Sequence, residues 1–211
     1  MLSIDHFVIG ARDLDQGTAW AMERFGVAPS GGGKHPLMGT HNSLWRLGMC
    51  YLEVIAIDPA AEKPAHARWY GLDELDVQDS LMERPRLLTW VVASDDLATD
   101  RARAPIDPGP MRRFTRGDLW WDLSIPLDGK PRKNGTYPAM ISWPEDVQPP
   151  AKTLMDSGLR VEKFTIAGPT GLHKDLKSYG VSDLYERQTT TGQPALDLTL
   201  RSVETLQTIA V

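Results

Sequence analysis

Ile4-Asp5-His6-Phe7-Val8-Ile9 and Tyr51-Leu52-Glu53-Val54-Ile55-Ala56-Ile57 are the two stretches whose reading decides the fold. Both are apolar, strand-like runs with ionisable side chains inside them. Period-two alternation puts Ile4, His6 and Val8 on one face of the first strand and Phe7 and Ile9 on the other. On the second strand Tyr51, Glu53, Ile55 and Ile57 share a face. An ionisable group in a half-buried strand loses its hydration and needs a partner. If both strands belong to one curved sheet, His6 and Glu53 meet in a pocket. Histidine and glutamate are standard ligands of a divalent cation. They also suit a polar pair that is structural or binds a ligand directly, and the residues alone leave both readings open.

Outward from the first strand, Asp13 is placed to cap a helix with Leu14, Thr18, Ala21, Met22 and Phe25 at helical spacing, ended by Gly26. The stretch from Pro29 to Pro36 reads as a loop. Thr40 to Leu47 and Tyr51 to Ile57 read as strands joined at Gly48, and Trp69, Tyr70 and Leu72 anchor a short helix or loop over the sheet. The order then restarts. Leu87 to Ala93 is strand-like, Asp95-Asp96 opens a helix stopped at Pro105, and Leu119 to Ile125 and Tyr137 to Trp143 follow as strands. A shorter restart runs through Arg160 to Ile166, a helix over Leu172 to Tyr179, and a closing hairpin of Tyr185–Thr189 with Ala195–Arg201. Repetition of this kind organises the whole chain. Aligning Asp13-Leu14 with Asp96-Leu97 matches Phe7 and Ile9 to Trp90 and Val92, and puts Thr89 in the place of His6. In the third restart Lys163 takes that place and Asp197 echoes Glu53, so that the two could pair.

Ile4–Ile9, the Asp13-Leu14 helix start and Tyr51–Ala56 resemble the first module of the vicinal oxygen chelate superfamily. More narrowly, Gly33-Lys34-His35-Pro36 with Gly39-Thr40-His41-Asn42-Ser43-Leu44 looks like the signature of its glyoxalase-like domain group. The likeness continues through Trp90–Leu97 to Met140-Ile141-Ser142-Trp143. It implies an α+β fold of repeated βαβββ modules forming a cupped mixed sheet around a small-molecule pocket. The modules are residues 1–84 with a loop extension, residues 85–150, and a shorter βαββ-like unit at 151–211, together one compact domain. It also implies a divalent metal (zinc, manganese, nickel or iron(II)) held by His6 and Glu53, with open positions for two adjacent substrate oxygens. Lyase, isomerase or dioxygenase-type chemistry on a small molecule would follow, the metal acting as Lewis acid. The second module departs from the pattern, with Thr89 at the His position and no carboxylate in Ala139-Met140-Ile141. The superfamily also contains non-catalytic proteins that sequester small molecules between aromatic side chains, so a binding protein is the alternative. Modules in this superfamily often pair across chains, which allows a homodimer as well as a monomer.

Further candidates flank the first pair. His41 is a candidate third metal ligand or, with Glu53, a catalytic acid–base group, because histidine titrates near neutrality. The competing reading has His41 and Asn42 bonding backbone at a strand entry. His35, Asn42, Trp90, Trp121 and Lys163 are the candidate substrate-binding residues. Asn42 offers both a donor and an acceptor, and Trp90, Trp120, Trp121 and Trp143 suggest an aromatic wall. His66 and His173 read as solvated. The chain is 41% hydrophobic and 24% charged, with a net charge of −5 that argues against nucleic acid as a partner. Its local exception, Arg112, Arg113 and Arg116, reads as a solvated loop or an anion clamp for a small ligand. One cysteine, Cys50, allows no intrachain disulfide. No secretion signal or membrane-length apolar run is present, so the reading is a cytoplasmic protein. The glycines at 31–33 precede His35-Pro36 rather than a Gly-Lys-Ser/Thr helix start, and do not read as a phosphate loop.

Overall fold

The computed structural model describes residues 1–117 and 119–211. The apolar alternation of the first stretch forms strand β1 (Ser3–Gly10), which leads into helix α1 (Leu14–Phe25). Asp13 caps that helix by accepting a hydrogen bond from the Gln16 amide, and Gly26 ends it at φ 69°. Such a cap contributes about 1 kcal/mol. Strands β2 (Gly31–His35), β3 (Thr40–Arg46) and β4 (Tyr51–Ile57) complete the unit. A connecting segment carries a short 3-10 turn at Trp69–Gly71 and helix α2 (Leu75–Glu83). The order then repeats as β5 (Arg86–Ala93), α3 (Leu97–Arg103), β6 (Met111–Arg116), β7 (Leu119–Ser124) and β8 (Ala139–Ser142). Asp96 caps α3 through the Thr99 amide, as Asp13 caps α1.

These strands form one eight-stranded mixed sheet in the order β2-β3-β4-β1-β5-β8-β7-β6. β1 runs parallel to β4, β5 runs parallel to β8, and the antiparallel β1–β5 pair joins the halves. The sheet curls until its outermost strands, β2 and β6, approach each other. A short helix α4 (Pro150–Thr153) then leads to β9 (Leu159–Gly168), α5 (Thr170–Ser178), β10 (Glu186–Thr189), β11 (Ala195–Ser202) and β12 (Thr208–Ala210). Their four-stranded sheet has the order β10-β9-β11-β12.

Alternation divides the apolar residues into two cores. Phe7, Ile9, Trp45, Leu52, Val54, Trp90 and Val92 face α1 and the second sheet, where they meet Phe164, Ile166, Leu198 and Leu200. The concave face carries Val8, Ile55, Val91, Phe114, Trp121, Leu123 and Ile141, roofed by Trp69, Tyr70 and Leu72. At the middle of that roof Tyr70 takes the left-handed backbone conformation (φ 60°, ψ 18°), costly for an aromatic residue.

Several expectations are corrected. Gly31–Gly33 are strand, not loop: the bare backbone pairs with Ser43, Asn42 and Leu44 of β3 at the sheet edge. Tyr185–Thr189 and Ala195–Arg201 are not a hairpin, because β9 lies between β10 and β11. Lys163 sits opposite Thr199 and pairs with Glu186 at 3.2 Å, not with Asp197. His173 is buried, with Nδ1 3.2 Å from the Tyr185 hydroxyl and Nε2 3.2 Å from the Gln188 carbonyl.

Candidate functional site

The concave face holds a cluster of buried polar side chains at its centre. Register places Glu53 of β4 beside Val8 of β1 and opposite Leu44 of β3. A β-bulge between Ile4 and His6 turns Asp5 inward as well, so two successive ionisable side chains of β1 are buried. The His6 Nδ1–H donates to Asp5 Oδ1 at 2.6 Å, and the Trp143 indole donates to Asp5 Oδ2 at 2.8 Å. The acceptor-only carboxylate assigns the His6 proton to Nδ1 and leaves Nε2 facing Glu53. Tyr51 stacks on the imidazole with centroids 4.5 Å apart.

Asn42 is the hub on the other side. Its amide nitrogen donates to Glu53 Oε1 at 2.5 Å and to His35 Nε2 at 3.4 Å, and its oxygen accepts from Arg116 Nη1 at 3.4 Å. His35 in turn shares a 3.1 Å bond with the Thr40 hydroxyl and lies edge-on to Trp69. Burial, followed by the nearby Arg116 and His6, pushes the His35 pKa down to about 3, so this ring is neutral at physiological pH. Burial, with Asp5 and Glu53 adding to it, holds the Tyr51 and Tyr70 phenols well above their usual range, and both stay protonated.

Glu53 Oε2 and His6 Nε2 stand 3.7 Å apart, beyond a hydrogen bond. Both border a cavity of about 20 Å³, lined also by His35, Asn42, Arg116 and Trp121. That volume holds about one water molecule. Two proton-accepting atoms, the unprotonated His6 Nε2 and the Glu53 carboxylate, therefore face one desolvated point, where either can take a proton.

The donor set does not fit a resident metal. Protein metal centres of the zinc type use three or four side-chain ligands. Here only His6 and Glu53 face the point between them, because Asp5 lies on the far side of the imidazole. The other half of the sheet offers Leu123 and Ile141. Among the described residues, no group of three or more His, Cys, Asp or Glu side chains is placed to hold a metal ion.

Of the residues expected from sequence, His6, Glu53, Asn42, His35 and Trp121 line this one cavity. His41, Trp90 and Lys163 do not. Alternation along β3 turns His41 to the face of Ser43, which bonds Thr18 of α1, and its buried Nε2 has no partner among the described residues. That placement sets it apart from the cavity shared by His6 and Glu53. Trp90 lies in the core beyond the sheet, 5.1 Å from the Phe164 ring, with its indole bonded to the Thr136 carbonyl. Lys163 is on the second sheet. Asp5 and Tyr51 were not among the expected site residues; Trp143 was expected as part of an aromatic wall, and Arg116 as part of a solvated loop or an anion clamp. Asp5 and Tyr51 stood inside the two deciding stretches, and Arg116 follows Phe114 by two positions on a strand whose alternation aims both inward.

A family model described as a glyoxalase-like domain matches residues 4–177. The chain belongs to the glyoxalase-like domain family. The β-α-β-β-β order found twice in the curled sheet is the architecture expected of that family and of the vicinal oxygen chelate superfamily around it. Among solved structures, a hypothetical protein from Staphylococcus aureus superposes with a TM-score of 0.60 at 14% identity, covering 85% of this chain and 75% of that one. A mutant of 4-hydroxymandelate synthase from Streptomyces coelicolor gives 0.50 at 12% identity over 99% of this chain and 61% of that one. A methylmalonyl-CoA epimerase from Streptomyces coelicolor gives 0.44 at 14% identity over 68% and 99%. At such identities the likeness is one of fold. No curated protein matches this sequence. Among the described residues, no helix of this glyoxalase-like chain is long and apolar enough to cross a membrane.

Proposed function

We propose that this glyoxalase-like protein is a small-molecule enzyme of isomerase or lyase type that moves a proton at a carbon beside a carbonyl or carboxyl group. Glu53 and His6 are its acid–base pair. The observation that carries this reading is the convergence of Glu53 Oε2 and His6 Nε2, 3.7 Å apart, on one buried cavity. Glu53 removes the proton from carbon, the electron pair moves onto the neighbouring carbonyl oxygen, and the proton now held by Glu53, or passed from it to His6 Nε2, returns to the enolate carbon. Asp5 positions His6 by fixing its tautomer, and Asn42 positions Glu53. Removal from water strengthens each of these interactions. The cavity must widen to admit a substrate, and the roof of Trp69 and Tyr70, held by packing and with no hydrogen bond on the buried Trp69 indole among the described residues, is the part that would move. A reducing, cytoplasmic setting accords with the single buried cysteine, whose thiol burial pushes up to about 12.

The test is a screen of small hydroxy- and oxo-compounds in D2O, read by NMR as loss of the exchangeable C–H signal. Wild type should catalyse exchange on at least one, and Glu53→Gln should lower that rate by roughly 100-fold or more. Equal rates in the two proteins would refute the assignment. A second reading, non-catalytic binding, is favoured by the aromatic lining of Trp69, Trp121 and Trp143. It predicts ligand-induced tryptophan quenching with no turnover.

A further inference from the structure

We infer that the substrate is a short carboxylic acid and that Arg116 binds its carboxylate. The inference rests on the proton-transfer reading for what happens next to that carboxylate, but it concerns a different residue and a different measurement.

Arg116 reaches the site from the opposite edge of the curled sheet. It is the last residue of β6, on the same strand face as buried Phe114, so its side chain turns to the concave side. Its stem then crosses onto β2. A Cβ on Gly33 would stand 2.8 Å from Arg116 Cδ, so the glycine is what leaves the arginine room to lie there. The guanidinium ends beside the cavity and is the only cationic side chain lining it among the described residues.

Little there engages it. Among the described residues its single hydrogen bond is the long one to Asn42 Oδ1, at 3.4 Å, and it has no carboxylate within ion-pair distance. The contrast with its neighbour is direct: Arg113 makes two bonds to Asp122, at 3.0 and 2.9 Å, and stacks over Trp120. A guanidinium presents a planar fork of N–H groups that fits a carboxylate with two parallel bonds, and among the described residues only the Nη1 bond to Asn42 occupies the Arg116 fork. Its charge is felt inside the site, where it lowers the basicity of His35.

The geometry also sets the length of the acid. The Asn42 amide spans from Arg116 on one side to Glu53 on the other. An acid whose carboxylate meets Arg116 therefore presents its nearest carbons to Glu53 and His6. That selects acids with the reacting carbon next to the carboxylate or one bond further, such as 2-hydroxy and 2-oxo acids. A guanidinium at that end also stabilises negative charge spreading onto the carboxylate as the proton leaves.

The experiment compares matched acids and amides, lactate against lactamide and glycolate against glycolamide, by tryptophan fluorescence and saturation-transfer NMR. The proteins are wild type, Arg116→Gln, Arg116→Lys, Gly33→Ala and Glu53→Gln, each first shown by circular dichroism to be folded. Wild type should bind an acid roughly ten- to a hundredfold more tightly than its amide. Arg116→Gln should lose that preference, Arg116→Lys should keep part of it, and Gly33→Ala should weaken it by displacing the arginine stem with its charge intact. Glu53→Gln should retain it. Equal binding of acid and amide by wild type, binding of neither, or an unaltered preference in Arg116→Gln would each overturn the inference. An acid preference without any deuterium exchange would sink proton transfer and leave the Arg116 site standing. Exchange on neutral carbonyl compounds with no acid preference would do the reverse.

Discussion

Replacing His35 by glutamine should remove a specific piece of the protein's pH dependence. The ring is buried between Thr40, Asn42 and Trp69, with Arg116 and His6 close by, and its pKa is held near 3 against about 6.5 for a free histidine. A proton therefore binds the unfolded chain but not the folded one across that interval. Stability is fully present above pH 6.5 and is lost as pH falls towards 3. Between pH 7.5 and 5 the linkage relation gives a loss of about 2 kcal/mol from this one residue, and any folded pKa below about 4 gives nearly the same figure. Glutamine offers hydrogen bonds to the same neighbours but does not titrate. Urea unfolding of wild type and His35→Gln at pH 7.5, 6.5, 5.8 and 5.0 should show the wild-type advantage shrinking by about 2 kcal/mol over the series. Parallel profiles would refute the claim that the folded site keeps this imidazole neutral.

Other substitutions probe other parts of the molecule. Gly135 sits at φ 80° with a would-be Cβ 1.8 Å from the Leu88 carbonyl oxygen, so Gly135→Ala should destabilise by about 3 kcal/mol or more in chemical denaturation. Leu198 of the second sheet is fully buried, and Leu198→Ala should cost about 2–5 kcal/mol. Asp5→Asn keeps an acceptor for the Trp143 indole but no longer fixes the His6 tautomer, so exchange activity should fall roughly tenfold or more with only a small change in Tm. Lys163→Ala removes only an exposed ion pair and should leave both Tm and exchange rate at wild-type values.

The strands that frame the site were legible because apolar and ionisable residues alternate around the site residues: Phe7 and Ile9 against His6, Leu52 and Val54 against Glu53. The paired Asp-Leu helix starts revealed the repeat, since each Asp caps a helix in the same place of its unit. What sequence hid was structure made by neighbours rather than by side chains. Gly31–Gly33 become an edge strand only because β3 supplies backbone partners, and β6, with its three arginines, carries little apolar signal of its own. Parity along β3 separates Asn42 from His41, yet only the facing of Ser43 onto α1 tells which of them enters the cup. Trp90 was matched to Phe7, a core position, and that match already placed it outside the cavity. Arg116 depended on the curl of the sheet, which brings β6 over β2 and is written in no local pattern.

Exchange catalysed by chelator-treated protein tests the central claim most directly. Wild type and Glu53→Gln would be stripped with EDTA, their metal content measured, and their deuterium-exchange rates compared before and after adding zinc, manganese, nickel or iron(II). The account predicts that stripped wild type retains its full rate, that Glu53→Gln lacks it, and that added ions restore nothing to the variant. A stripped wild type that is inactive until an ion is supplied would contradict the assignment of proton transfer to Glu53 and His6 themselves.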